Sequence, residues 1–166
     1  GRNIRHTGVP VRRAAPEAAC EIRPVAAGDM AKLAEYDRTC FPADRSGFLR
    51  DWILPGDDAR RESFVAVAGG AVRGYGTIRE CRLGYKIGPL FADTDDVAGA
   101  LFAALVSTAP ADTEISLDTP EGNGPAVEMA TGAGLQPVFE TARMYRGDAP
   151  SLPLGRIYGV TTFELG

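Results

Sequence analysis

NGPAVEMATGAGL, residues 123–135, is the stretch on which the reading of the chain turns. It stands between two alternating apolar runs, EISLD at 114–118 and LQPVFETARMY at 135–145. Alternation puts every second side chain on one face, as a half-buried strand requires, and the intervening residues switch to a helical period. The pattern predicts a short strand, a brief helix closed by glycine, and a second strand.

Working back from there, DTDDVAGALFAALVS places Val97, Leu101, Ala104 and Leu105 on one helical stripe, with Thr94 or Asp95 as its cap. GYKIGPLFA reads as a strand, and SFVAVAG with AVRGYGTIREC reads as a hairpin turning at Gly69-Gly70. Two helices precede it. PADRSGFLRDWIL carries Phe48, Leu49, Trp52 and Ile53 at helical spacing and ends at Pro55 and Gly56; AAGDMAKLAEYDRTCF sets Met30, Leu33, Ala34, Asp37 and Cys40 near one stripe, with Asp29 as cap. CEIRPV is a strand, and LQPVFETARMYRG with GRIYGVTTFELG reads as two long strands joined by a Pro-rich turn. Ile157, Val160 and Phe163 of the last run could add to a neighbouring sheet. Residues 1–19 lack either period and read as a linker, or, through NIRHTG as a last strand, as the tail end of a preceding domain; 20–166 form the domain proper.

At 166 residues and 45% hydrophobic, the chain has the length and apolar content of one compact domain. A net charge of -4 provides no field to gather phosphates, which argues against nucleic acid and anionic membranes as partners. There is no apolar run near the roughly 20 residues of a membrane span and no apolar signal core, so a cytoplasmic protein is expected. Cys20, Cys40 and Cys81 are odd in number and widely spaced, fitting reduced thiols. His6 is the single histidine, which removes histidine triads and two-histidine metal sites, and no metal is expected.

Asn123, Ala126, Met129, Gly134 and Leu135 fall where the GNAT (general N-acetyltransferase) superfamily writes N-x-x-A-x-x-L-Y-x-x-x-G-F, and the element order also resembles that family over residues 20–166. FPADRSGFLRDW and the closing RMYRG, RIYG and ELG are similar to the C-terminal GNAT domain of tandem acetyltransferases. The resemblance implies an α/β fold, with a mixed, mostly antiparallel twisted sheet flanked by helices. It implies acetyl-CoA as cosubstrate and transfer to a small-molecule or peptide amine. The alternative is a non-catalytic GNAT-like domain that shapes an acceptor pocket or pairs with an active partner, a second GNAT domain or another copy.

The same resemblance implies the site. The fourth strand of the fold should splay from the fifth so that the pantetheine arm lies between them, which places Ile87, Gly88 and Leu90 beside the cofactor. Thr94, Val97 and Gly99 occupy the positions of the pyrophosphate loop, and Asn123 follows the fifth strand. Two departures stand out. Ala130 replaces the usual tyrosine acid, and Asp95 with Asp96 would repel a phosphate by about 4 kcal/mol per charge pair at close range. Glu80 and Asp118, at strand ends, are the candidate bases, with ordinary strand-end carboxylates as the alternative. Tyr145 is the candidate replacement acid, and Asp44 with Arg45 could contact substrate or simply pair with each other.

Overall fold

The structure is a computed structural model that describes residues 1–54 and 60–164. Pro55 and Gly56, expected to end the second helix, and the final two residues of the terminal ELG lie outside the described residues.

The elements run β1 (Arg2–Gly8), β2 (Glu21–Pro24), α1 (Met30–Cys40), α2 (Ser46–Ile53), β3 (Arg61–Ala68), β4 (Ala71–Glu80) and β5 (Tyr85–Ala92). They continue with α3 (Asp95–Thr108), β6 (Ile115–Pro120), α4 (Gly124–Gly132), β7 (Gln136–Ala142) and β8 (Ile157–Gly159). The strands form one sheet in the order β2-β3-β4-β5-β6-β1-β7, with β8 attached to β5. Every pair is antiparallel except β5 with β6. The expected mixed, mostly antiparallel sheet is therefore present.

Alternation along the strands feeds two cores. Ala66, Leu90 and Tyr158 point into the layer with α3 and α4, whereas their neighbours Val65, Phe91 and Ile157 point into the layer with α1 and α2. Most of each predicted stripe is buried, with Met30, Leu33, Asp37 and Cys40 on α1 and Val97, Leu101 and Leu105 on α3, while Ala34 and Ala104 are half-buried.

Two expectations at the ends of the chain are corrected. Residues 2–8 are a strand inside this sheet, between β6 and β7, and not part of a linker. The alternative reading of NIRHTG as a strand holds, but its place inside this sheet escaped the pattern because its contacts are polar. Arg2 pairs with Glu121 and Glu140, Asn3 accepts from Arg143, Arg5 pairs with Asp118, and the Thr7 and Ser116 hydroxyls lie 2.8 Å apart. The stretch from 9 onward does cross the surface without strand structure: the Val11 amide donates to the Ala133 carbonyl and Arg12 to that of Ala109.

The second correction concerns the C-terminal hairpin. β7 pairs with β1, the final strand has only three residues, and those pair with β5. β7 is the edge strand, with β1 on its inner side, and the returning chain leaves its outer edge unpaired and goes to the middle of the sheet. Ile157 and Val160 are buried in place and unavailable to a neighbouring sheet.

Candidate functional site: a filled gap beside an apolar cleft

β5 and β6 pair only at Tyr85 with Ile115, Lys86 with Ser116 and Ile87 with Leu117. Beyond Ile87 they separate, as the resemblance implies. The gap is not open. β8 lies in it, pairing Leu90 with Gly159 and Phe91 with Ile157 on one side, while the Val160 amide donates to the Asp118 carbonyl at 2.9 Å on the other. Backbone groups that a ligand amide could satisfy at a splayed edge are thus satisfied by the chain itself. Gly88 permits the close approach, since a Cβ there would stand 2.5 Å from the Val160 carbonyl oxygen.

The remaining positions expected at a cofactor are turned to the same end. Asn123 caps α4 by accepting from the Ala126 amide at 3.2 Å, and its Nδ2 donates to the Ile157 carbonyl at 2.9 Å, tying the helix to β8. Thr94 caps α3 through the Val97 amide, so one of the free amides expected to hold phosphate has a partner already. Val97 is buried in the core, and the open side of Gly99 faces Pro16, where a Cβ would meet the ring at 2.7 Å. Tyr158 donates its phenol hydrogen to Asp95 in the first turn of α3. Burial, reinforced by that bond, raises the Tyr158 phenol far above its usual range, keeping it a donor. Ala130 is buried in the same apolar cluster as Tyr158. The residues named from the resemblance are brought together, but around β8.

Neither candidate base is placed to take a proton from a substrate. Asp118 is fully buried and receives Arg5 through Nε at 2.7 Å and Nη2 at 2.9 Å, with Lys86 Nζ at 2.5 Å. A carboxylate buried from solvent with two cations on its oxygens is engaged in a structural ion-pair cluster. Burial pushes the Lys86 ammonium below its usual range, opposed by that same carboxylate. Glu80 is exposed, opposite Tyr85, at the paired end of β5 and remote from the separated end. Tyr145 lies beyond the end of β7, partly exposed, and is not on a strand as expected.

Asp44 and Arg45 do not pair with each other. Asp44 accepts from the Ser46 amide at the start of α2, whereas Arg45 makes a bidentate pair with buried Asp37 at 2.9 and 2.8 Å. Tyr75 donates to the same carboxylate at 2.5 Å, and Arg45 also donates to Thr161, just past β8. Asp37, Tyr75, Tyr158 and Arg5 were not singled out for a site by sequence reasoning. Tyr75, Tyr158 and Arg5 meet their partners 38, 63 and 113 positions away, and although Arg45 lies eight residues from Asp37, nothing in the local pattern marks the two as a pair.

On the α1–α2 face, the chain forms a cleft of about 420 Å³ walled by Phe41, Phe91, Met144, Tyr145, Ile157 and Phe163. It adjoins the connection between α1 and α2, the region where the resemblance places acceptor contacts. Among the described residues there is no group of side chains able to hold a metal ion, and no helix long and apolar enough to cross a membrane.

Comparison with known proteins agrees with this architecture. The acetyltransferase (GNAT) domain family matches residues 33–159. A holothin acyltransferase of Pseudoalteromonas sp. is 28% identical over 145 residues, 87% of this chain and 48% of its own length. A solved structure from Pyrococcus horikoshii that carries an acetyltransferase assignment superimposes with a TM-score of 0.72 at 22% identity, over 99% of this chain and 52% of its own. A tandem GNAT protein from the clavulanic acid biosynthesis pathway gives 0.58 at 15% identity, over 82% and 50%. The chain thus spans about half the length of these relatives.

Proposed function

The chain belongs to the GNAT acetyltransferase family, and on that premise we propose that it is one half of an acyl-CoA-dependent N-acyltransferase. In this reading it shapes the acceptor pocket, while a second GNAT domain holds the thioester. The observation that carries the proposal is β8 lying in the gap where a pantetheine arm would enter. The coverage of about half of each relative supports a second domain, and the name of the Pseudoalteromonas relative supports acyl transfer.

The chemistry divides accordingly. An amine nitrogen attacks the thioester carbonyl, a C–N bond forms, the C–S bond breaks, and the thiolate leaves with a proton. In this chain the acid position is Ala130 and the buried Asp118 is occupied by Arg5 and Lys86, so neither of these two positions supplies a group for proton transfer. The acetyl group and acetyl-CoA are assigned to the other domain, and an acyl-CoA requirement suits a cytoplasmic site of action.

Energetics support the division. Withdrawing β8 would expose Ile157, Tyr158 and Val160, each now nearly inaccessible. At about 1.5–3 kcal/mol per large apolar side chain, the loss is on the order of 5–9 kcal/mol. A micromolar ligand supplies about 8 kcal/mol, so displacement would consume most or all of its binding energy. Calorimetric titration of acetyl-CoA into the chain tests the proposal. No heat of binding is expected, and none either after Asp95→Asn with Asp96→Asn, because β8 stays in place. Micromolar binding by the unmodified chain would overturn it.

A further inference from the structure

The walls of the cleft carry information about what it accepts. Arg143 is the one charged residue among those lining it, and no carboxylate borders it among the described residues. The buried carboxylates behind the walls are engaged, Asp37 by Arg45 and Tyr75, and Asp118 by Arg5 and Lys86. Two of the aromatic walls are backed by cations: the Arg45 guanidinium lies 3.9 Å from the Phe41 ring centre, and Arg5 and Lys86 lie 4.5 and 5.3 Å from that of Phe163. A ring whose π face already holds a cation attracts a second one poorly.

An alkylammonium entering here would lose water, meet no counter-ion, and face guanidinium groups through the rings. A flat ring with a conjugated amino group meets none of these penalties and stacks on the aromatic walls. The volume lies within the range of about 300–1,000 Å³ typical of small-molecule sites.

Resting on the reading of the cleft as the acceptor pocket, we propose that its substrate is an uncharged, weakly basic aromatic or heteroaromatic amine, and not an alkylammonium such as a polyamine or a lysine side chain. This accounts for the absence of a free base. A conjugated amine is already unprotonated at neutral pH and attacks with its lone pair available, whereas an alkylamine must first give up a proton. After attack, the proton shed by the nitrogen leaves with the departing thiolate, and the exchange balances without a resident carboxylate.

The test uses the chain alone, so it does not depend on acyl-CoA. Binding of 3-aminoquinoline, hereafter aminoquinoline, and of naphthylmethylamine, similar in size but respectively neutral and cationic at neutral pH, is measured by ligand-observed NMR and calorimetry. The expected result is binding of aminoquinoline at least about tenfold tighter, and its loss in Ala142→Trp, which fills the cleft from an exposed position. Equal or tighter binding of the ammonium probe, binding of neither probe, or binding unaffected by Ala142→Trp would overturn the proposal. These outcomes are separate from acetyl-CoA binding, which bears only on the division between two domains.

Discussion

Tyr158 on β8 donates its phenol hydrogen to Asp95 in the first turn of α3. The carboxylate at the head of α3 is therefore the partner of the strand that lies in the gap between β5 and β6. Charge reversal in the loop and occupation of the gap are one arrangement. A neutral donor at an anionic acceptor beside a helix N-terminus is a strong form of hydrogen bond.

Removing that hydroxyl isolates its contribution. Tyr158→Phe keeps the ring and deletes the donor, and it is expected to lower unfolding free energy by about 1.5–3 kcal/mol, the range for a bond to a charged group. Urea denaturation followed by circular dichroism measures it. An unchanged midpoint would mean that the bond contributes nothing.

The Arg5–Asp118–Lys86 cluster predicts that Asp118 acts in folding. Asp118→Asn leaves two cations side by side in a buried site, and a loss of about 3–5 kcal/mol is expected, the usual consequence of breaking a buried ion pair. Thermal unfolding at neutral pH measures it. A variant as stable as the parent would restore Asp118 as a candidate base.

Substitution at the strand junction probes the close approach directly. In Gly88→Ala the added carbon would stand 2.5 and 2.6 Å from the carbonyl oxygens of Val160 and Thr161, both backbone atoms with little freedom to yield. Overpacking of this kind costs about 1–3 kcal/mol. Guanidinium denaturation reads the loss, and a variant as stable as the parent would show that β8 does not press against Gly88.

Acid sensitivity has an assignable source at the entry to α1. The hydrogen bonds from Arg23 are the main cause lowering the Asp29 carboxyl from its ordinary 3.8 to about 2, with the Ala26 amide contributing. Because the folded value is depressed, this stabilisation is complete above the unfolded value and is lost as pH falls from 3.8 towards 2. An NMR titration of the Asp29 side chain should show the low midpoint, moving up in Arg23→Gln. An ordinary midpoint in the parent chain would contradict the pairing.

Helices α1 to α4 and strands β2 to β6 were legible because their apolar residues recur at the right period and bury themselves locally. Asn123 was legible as a turning point, although its second contact, to Ile157, was not. β1 was legible as a strand only in one of two readings, and its place in this sheet was illegible for a physical reason: its side chains are matched to polar residues more than a hundred positions away, so Arg5 means nothing until Asp118 stands opposite it. The final run reads as a long strand from its alternation, yet only Ile157–Gly159 finds a ladder, between β5 and the separated end of β6. For the site, DTDD is readable as a loop unfavourable to phosphate, while the partner that Asp95 takes depends on where Tyr158 arrives.

Amide exchange at Val160, whose N–H bonds to the Asp118 carbonyl inside the gap, tests the central claim most directly. The account predicts protection by orders of magnitude in the unmodified chain, unchanged when acetyl-CoA is added. Rapid exchange in the free chain, or protection at Val160 that shifts on adding acetyl-CoA, would show that the gap is open to the cofactor and would contradict it.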